Sequence, residues 1–249
     1  TKDNKGFYID AHNNYWRAFL FISNTVSLDL PEDDNDFYQS AIAFGNFQRQ
    51  LGNYPTENLF ETIKDFHNTP VRYQNLIDSI EKNPSGRANN AIKEIEFVKA
   101  RKDFTTILED AYLKGILPKR VTHNDTKINN LMLDKDTREP VCVVDLDTIM
   151  PGYSVSDFGD SIRFGASTAA EDERDLNKVH FDINLFETYT RGFLKGCDGT
   201  LTEEEIMLLP EGAKMMTLEC GMRFLTDYID GDVYFKTDYD DHNLVRCRT

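Results

Sequence analysis

The 249-residue chain is predicted to have an α+β fold with two unequal lobes, one small and β-rich, the other larger and mainly helical. Three observations predict it. Residues 6–30 are rich in aromatic and β-branched residues, and most of the sequence after residue 31 carries apolar residues at helical spacing. Two short apolar runs, LMLD and VCVV, predict a hairpin enclosed by the helices. The predicted division is a β lobe remnant and hinge at 1–30 and a helical lobe at 31–249.

The individual elements follow from local sequence signals. Residues 12–14 (HNN) form a polar turn between two predicted strands. A helix is predicted from Pro31, which suits a first helical turn, to a stop at 52–53 (GN). LMLD and VCVV are predicted strands joined by the turn DKDTREP. Further helices are expected at 56–66, 72–82, 91–113 and across most of 172–230, with breaks at 196–199 and 210–212.

The composition limits the class of partner. The chain has 28 basic and 43 acidic residues, a formal net charge of −15, and such a surface repels nucleic-acid backbones. No apolar run approaches the length of a membrane span, so no membrane partner is expected. The four cysteines lack the spacing of a zinc or redox motif, and they favour a reducing, cytoplasmic location. They are Cys142, Cys197, Cys220 and Cys247.

The chemistry is concentrated in residues 121–147, VTHNDTKINNLMLDKDTREPVCVVDLD. Asn130 follows Asp125 by five positions, and Asp145 follows it by 20, at the end of the apolar run VCVV. A short loop before a hairpin can direct these side chains into one cleft, where they offer oxygen ligands for magnesium and a carboxylate that accepts a proton. The alternative is a polar loop with ordinary Asp and Asn residues. The apolar strand, the second acid Asp147 and the helical sequence that follows favour the functional interpretation.

The same residues carry a family resemblance. The spacing HxDxxxxN resembles the catalytic loop of kinases. HNDTKINNLMLD followed by VVDLDTIMPG resembles the aminoglycoside phosphotransferase and choline kinase superfamily, which implies a protein-kinase-like fold. Within it, the runs HNDTKINN, DLDTIMPGYSVSDFGDSIRFGAS and GMRFLTDYIDGDVYF resemble the N-acetylhexosamine 1-kinases. The likeness extends over most of the chain.

The resemblance implies roles for the loop residues. Asp125 would be the base that takes the proton from a sugar's anomeric hydroxyl as it attacks the γ-phosphate of ATP. Asn130 and Asp145 would hold Mg²⁺. His123 would support the loop by hydrogen bonding. Lys127 would reach either the phosphate or Asp125, or it would be an ordinary surface lysine.

The resemblance also implies substrate contacts. Arg223 and Tyr234, placed by the sequence in a break between helices, would contact the sugar, although each alone is more often a surface ion-pair residue or a half-buried aromatic. Phe21, Ile22 and Ser23 follow the second predicted strand, where kinases bind adenine through backbone groups.

A second stretch holds His67 and Arg72. This stretch, FHNTPVRY, would border the sugar pocket or would be a plain loop.

A literal kinase signature, DFG, occurs in SDFGD at residues 156–160. Its Asp157 lies 32 positions after Asp125, beyond the turn PGYS, whereas the metal-binding acid must end the next hairpin. Asp145 meets that requirement, and Asp157 does not. Asp157 is therefore interpreted as a helix N-cap or as a buried brace for the catalytic loop.

Other kinase features have no counterpart in the sequence. A glycine-rich loop and an early lysine paired with a helix glutamate cannot be placed, since Gly6 is the only glycine before Gly45. We therefore expect the chain to lack the first half of the small lobe, to bind ATP poorly and to turn over little by itself.

Three functions remain open. The leading one is a sugar 1-kinase that converts ATP and N-acetylglucosamine or N-acetylgalactosamine into the sugar 1-phosphate and ADP. The second keeps the fold but phosphorylates another hydroxyl, as in aminoglycoside or choline kinases. The third is a degenerate, non-catalytic kinase-like domain. The expected partners are a small-molecule sugar and a nucleotide, and the sequence leaves the oligomeric state open.

Overall fold

Three short strands, four helices, four short strands and four further helices follow one another along residues 2 and 4–249, the part of the chain that the computed structural model describes. Thr1 and Asp3, which belong to the predicted 1–30 segment, lie outside this part. The strands are β1 (Tyr8–Ile9), β2 (Tyr15–Trp16), β3 (Thr25–Val26), β4 (Arg120–Thr122), β5 (Leu131–Asp134), β6 (Pro140–Val143) and β7 (Met150–Gly152). The helices are α1 (Asp34–Leu51), α2 (Thr69–Lys82), α3 (Ile92–Lys99), α4 (Ile107–Leu113), α5 (Ser154–Gly165), α6 (Ile183–Cys197), α7 (Glu203–Asp230) and α8 (His242–Arg248).

The strands form three small antiparallel sheets. β1 pairs with β2 around a turn in which Asn13 has a φ of 62°, which confirms the predicted hairpin. The predicted β5–β6 hairpin is also confirmed. The sequence did not predict β3, which adds to β5 with Thr25 opposite Asp134 and so joins residues 25–26 to the central hairpin.

β4 and β7 form the third sheet, with Val121 opposite Pro151. The loop 123–130 runs from the end of β4 to the start of β5, and β7 begins a few residues after β6. The two sheets therefore hold both ends of the loop and the end of the hairpin in one place.

The main apolar core lies between α1, α5 and α6. Phe37 and Phe44 of α1 are almost fully buried against Phe158, Tyr189 and Phe193. Burial of each large apolar side chain contributes about 1.5–3 kcal/mol. A second core joins α7 to α2, α3 and α8. The helices therefore pack on one another through these two apolar cores.

Helices α5 and α7 approach each other closely because each has a glycine at the crossing. A Cβ atom on Gly159 would overlap the carbonyl of Gly212, and one on Gly212 would overlap the carbonyl of Val155. The glycine of SDFGD therefore serves helix packing. Close contact at this crossing also explains why α7 continues through Pro210, where the sequence predicted a break. Packing against α5 outweighs the hydrogen bond that the proline removes.

Four other helix predictions are wrong in detail. α1 begins at Asp34, because the Asp33 carboxylate caps it by accepting from the backbone N–H of Asp36, and Pro31 lies before it. α2 begins at Thr69 rather than 72, with Asn68 as its cap. The predicted helices 56–66 and 91–113 are replaced by shorter elements, namely a 3₁₀ turn at Thr56–Asn58 and the series α3, a 3₁₀ turn at Lys102–Thr106, and α4.

Among the described residues, no helix has both the length and the apolar character needed to span a lipid bilayer.

Candidate active site

Helix α5 fixes the backbone of the loop 123–130. The Asp157 carboxylate accepts from the backbone N–H groups of His123 (2.9 Å) and Asn124 (2.8 Å), and Asp160 accepts from that of Thr126 (3.0 Å). Both carboxylates are buried, and burial raises the pKa of Asp157 while the two N–H donors oppose that shift. The N-cap residue of α5 is Tyr153. Asp157 lies in the first turn of the helix and is therefore not its N-cap.

Asp125 lies in this loop with both carboxylate oxygens held by side chains. The Asn130 amide donates to the backbone O and the Oδ2 of Asp125, both at 2.8 Å. The Lys127 ammonium lies 3.1 Å from Oδ1. Burial lowers the pKa of Lys127, but the Asp125 carboxylate more than offsets this effect, so that the net shift is upward. Each carboxylate oxygen has a second lone-pair direction, so Asp125 can still accept a proton.

The end of the β5–β6 hairpin lies directly beside the loop. The backbone N–H of Val144 donates to the carbonyl of Asn130 at 2.9 Å, and Nε2 of the buried His123 bonds the carbonyl of Val144 at 2.9 Å. Because that carbonyl can only accept, His123 carries its proton on Nε2. Its buried Nδ1 has no hydrogen-bond partner among the residues that the structure describes, and the ring packs edge-on against Phe44 and Phe47. These contacts are those of a supporting residue.

The residues predicted to hold Mg²⁺ fit the ion chemically. Both bonds donated by the Asn130 Nδ2 go to Asp125, which leaves the amide oxygen for another partner. Asp145 follows Val144, has a φ of 59° and is exposed. An amide oxygen and an exposed carboxylate are hard ligands of the kind that magnesium takes together with water and phosphate oxygens. Among the described residues, no group of three or more His, Cys, Asp or Glu side chains is arranged around a common metal position.

The other predicted residues near the loop have different surroundings. Asp147 forms an exposed ion pair with Arg17 at 2.6 Å, and this contact lowers the pKa of the carboxyl. Phe21 and Ser23 are exposed, and the carbonyl of Ile22 accepts from the hydroxyl of Thr25. The segment 21–23 ends one residue before β3, which pairs with the strand that follows Asn130, and its role in adenine binding stays a prediction.

A cavity of about 270 Å³ lies at the end of α7. The structure brings the predicted sugar contacts together here, with Arg223 inside α7 rather than in a break, and Tyr234 just after the helix. The guanidinium of Arg223 lies over the rings of Phe66, Tyr234 and Phe235. The cavity is lined by Arg72, Asn75, Arg223, Thr226, Asp227, Asp230, Val233, Tyr234 and Phe235.

The buried Asp227 shapes the wall that carries Tyr234. Its carboxylate accepts from the backbone N–H groups of residues 233–235 at 2.8–3.0 Å and from the Asn243 amide at 2.8 Å. Four donors therefore occupy this carboxylate. Asp227 sets the conformation of the wall and has little capacity left for a ligand.

Sequence reasoning missed several residues that build this site, among them Asp160, Asp227 and Glu219. Their signal is an acid within an otherwise apolar helical stretch, such as Glu219 in MMTLECGM. A carboxylate at such a position is buried, and a buried carboxylate needs a specific partner.

The geometry agrees with a comparison to known families. Residues 16–192 match the phosphotransferase enzyme family (APH). The chain belongs to this family. The matched residues include α5 and the whole of the loop 123–130.

Solved structures show the same fold. The chain superposes on an ethanolamine kinase of Plasmodium vivax with a TM-score of 0.57 and 13% identity, covering 96% of this chain and 66% of that one. A choline kinase of Cryptosporidium parvum matches with a TM-score of 0.51 and 11% identity, covering 91% of this chain and 67% of that one. The chain thus spans about two thirds of the length of both kinases. These matches confirm the predicted kinase-like α+β fold, while the boundary at residue 30 stays a prediction.

Proposed function

We propose that this phosphotransferase-family protein is a small-molecule kinase that transfers the γ-phosphate of ATP to the anomeric hydroxyl of an N-acetylhexosamine. Asp125 accepts the hydroxyl proton as the sugar oxygen attacks phosphorus and ADP leaves. Lys127 and Asn130 hold the two oxygens of the Asp125 carboxylate, which fixes its direction.

Asn130 and Asp145 would hold Mg²⁺ in this proposal. When bound, the ion neutralises charge on the transferring phosphoryl group. The protein contributes by keeping the two ligands adjacent, through the hydrogen bond between Val144 and Asn130.

The observation that carries the acceptor assignment is the pair of guanidinium groups facing the cavity. Burial, followed by the charge of Arg223, lowers the pKa of Arg72, so the two cations lie within electrostatic reach of each other. Arg72 already donates from Nε and Nη2 to the carbonyl of Phe66, so the paired N–H donors that suit the hydroxyl and amide oxygens of an N-acetylated sugar are those of Arg223. A volume of about 270 Å³ also suits one sugar ring better than a multi-ring aminoglycoside.

A choline- or ethanolamine-type acceptor is the second candidate, because the structurally similar proteins are kinases of those names. Such a cation needs free aromatic faces or a free carboxylate. The guanidinium of Arg223 already lies near the rings of Tyr234 and Phe235, so a second cation there would meet a like charge, and four donors occupy Asp227. Asp230 is the remaining acid of the cavity, and the two arginines outweigh its charge.

The test is ADP release by the full-length protein with ATP and Mg²⁺ and a panel of acceptors. We expect turnover with N-acetylglucosamine or N-acetylgalactosamine, a product phosphorylated at C1 by ³¹P NMR, and background release with choline, ethanolamine and an aminoglycoside. Arg223→Lys keeps the charge but removes the paired donors, so it should raise KM for the sugar about 10-fold or more without changing KM for ATP.

Two results would contradict the proposal. Turnover with choline or ethanolamine alone would assign the second candidate. Absence of ADP release with every acceptor, together with no sugar binding by calorimetry, would support the non-catalytic domain.

A further inference from the structure

His67 connects the catalytic loop to the helix that carries the cavity arginine. Its Nε2 lies 3.1 Å from the carbonyl oxygen of Asn124, the residue before Asp125. Its Nδ1 lies 2.7 Å from Oε1 of Glu219, one helical turn before Arg223 in α7. The His67 and Glu219 side chains are 12% and 1% exposed, so water does not replace these contacts.

The chemistry of the two partners sets the protonation of the ring. A backbone carbonyl only accepts hydrogen bonds, and an ionised carboxylate does the same. An imidazole placed between two acceptors must donate from both nitrogens, and only the charged imidazolium has two N–H groups. A neutral ring would leave one acceptor unpaired in a buried position.

Glu219 is held in the ionised form that this arrangement needs. Its Oε2 accepts from the Thr69 hydroxyl at 2.5 Å. Burial raises the pKa of Glu219, but His67, Thr69 and Arg223 together more than offset this effect, and the net shift is downward. For His67, burial lowers the pKa, while Glu219 and then Asp160 raise it to a net upward shift.

The charged groups around the pair come from three helices. Helix α7 supplies Glu219 and Arg223, and α5 supplies Asp160 and Asp157, both of which act on His67. Arg72 of α2 acts on Glu219 from the cavity side. The carboxylates on α5 and α7 favour the imidazolium, and the charges of Arg72 and Arg223 act on Glu219.

We propose that His67, as an imidazolium bonded to both Asn124 and Glu219, is a positioning residue that keeps the base Asp125 in place relative to the acceptor cavity, and that its deprotonation loosens the loop. The inference rests on the proposed function for its catalytic meaning, but the linkage itself is a property of the folded chain. The raised pKa of His67 sets the direction of the pH dependence. The stabilisation of the loop by charged His67 is complete below the ordinary histidine pKa of about 6.5 and is lost as pH rises through the higher pKa of the folded protein.

Two substitutions separate the charge from the hydrogen bonds. The Gln amide carries both its N–H groups on one nitrogen, whereas Asn124 and Glu219 bond different nitrogens on opposite sides of the imidazole, so His67→Gln can reach one of these acceptors but not both. Glu219→Gln is different, because its amide N–H can donate to Nδ1 while its carbonyl accepts from Thr69. A neutral His67 then still donates from Nε2 to Asn124. His180→Gln, at an exposed histidine, is the matched control.

The measurement uses the full-length protein with ¹⁵N-labelled histidine and amide hydrogen exchange of residues 123–126 between pH 6 and 9. In the wild type we expect both His67 nitrogens to be protonated at pH 7 and His67 to titrate above the ordinary histidine pKa of about 6.5. Once His67 deprotonates, the protection of the loop amides, corrected for the intrinsic rise of exchange with pH, should fall. His67→Gln should speed loop exchange about 10-fold at pH 6, and His180→Gln should not. Glu219→Gln should lower the pH at which His67 titrates and leave loop protection independent of His67 ionisation.

These outcomes decide whether charged His67 links the loop to α7, and they need no measurement of turnover. A neutral His67 in the wild type at pH 7, or loop exchange that ignores its titration, would overturn the inference even if the acceptor panel shows a sugar kinase. If His67→Gln fails to fold, the wild-type titration and Glu219→Gln still decide it.

In the full-length protein, folded His67→Gln should lower kcat about 10- to 100-fold with little change in KM for ATP, since a small misplacement of the base slows the chemical step. An unchanged kcat would refute the positioning role.

Discussion

Replacing Asp157 by alanine should destabilise the protein much more than it weakens metal binding. The carboxylate is 2% exposed and accepts from two backbone N–H groups of the loop and from the Gln48 amide at 2.8 Å. Each buried donor that loses its acceptor costs about 1–3 kcal/mol. Because alanine leaves space for a water and the loop can relax, we expect a loss of about 3–5 kcal/mol in unfolding free energy.

Urea unfolding followed by far-UV circular dichroism measures this loss. Tryptophan fluorescence is a poorer probe, because the single Trp16 is exposed in the β1–β2 hairpin. Glu187→Ala, at an exposed acid of α6, is the control and should change stability by less than about 0.5 kcal/mol. The affinity of the folded variant for Mg²⁺ with ATP should stay within about threefold, well under the tenfold that 1.4 kcal/mol represents. A variant with unchanged unfolding and strongly reduced metal binding would refute the reasoning and place Asp157 in the metal site.

Three further outcomes are expected. Asp125→Asn should lower kcat about 10²- to 10⁴-fold with an unchanged urea midpoint, and near-normal turnover would remove Asp125 as the base. Glu205 is buried and bonded twice by Arg120, so Glu205→Gln should cost about 2–4 kcal/mol at pH 7. The pKa of Glu205 is lowered against the effect of burial, so its stabilisation is present above about 4.5 and is lost as pH falls through the folded value. The variant should therefore lose less stability than the wild type between pH 5 and pH 3, and an equal loss would contradict the assignment. Gly159→Ala should cost about 2–4 kcal/mol by forcing α5 from α7, whereas Gly221→Ala, whose Cβ would make an ordinary 3.6 Å contact with the carbonyl oxygen of Cys247, should be neutral or stabilising. Equal midpoints for the two glycine variants would exclude close packing at that crossing.

The features that sequence predicted well are those set by neighbouring residues. The β5–β6 hairpin follows from two apolar runs around a turn, and the spacing of Asp125, Asn130 and Asp145 follows from the short loop before it. Arg223 and Tyr234 line one cavity, as the resemblance implied, although their contact with a sugar stays a proposal.

The features that sequence missed depend on packing between distant segments. Pro210 lies inside α7 because the helix packs on α5 over its whole first half, which local propensity does not register. The predicted helix 91–113 divides where Arg101 folds back onto the ring and carbonyl of Phe97. His67 contacts Glu219, which lies 152 positions later in the sequence, and no local sequence pattern predicts such a pair.

The loop around Asp125 has a consequence for the order in which the molecule forms. Its backbone is held by carboxylates of α5 that come 33 to 34 positions later in the chain, and its link to α7 depends on Glu219, still further along. Contacts between distant segments form late, because the chain must first close long loops. During synthesis, the partners of this loop emerge after the loop itself. We therefore expect a nascent chain that ends before α5 to have no ordered loop at Asp125, and one that ends between α5 and α7 to hold the loop backbone but to lack the link through Glu219.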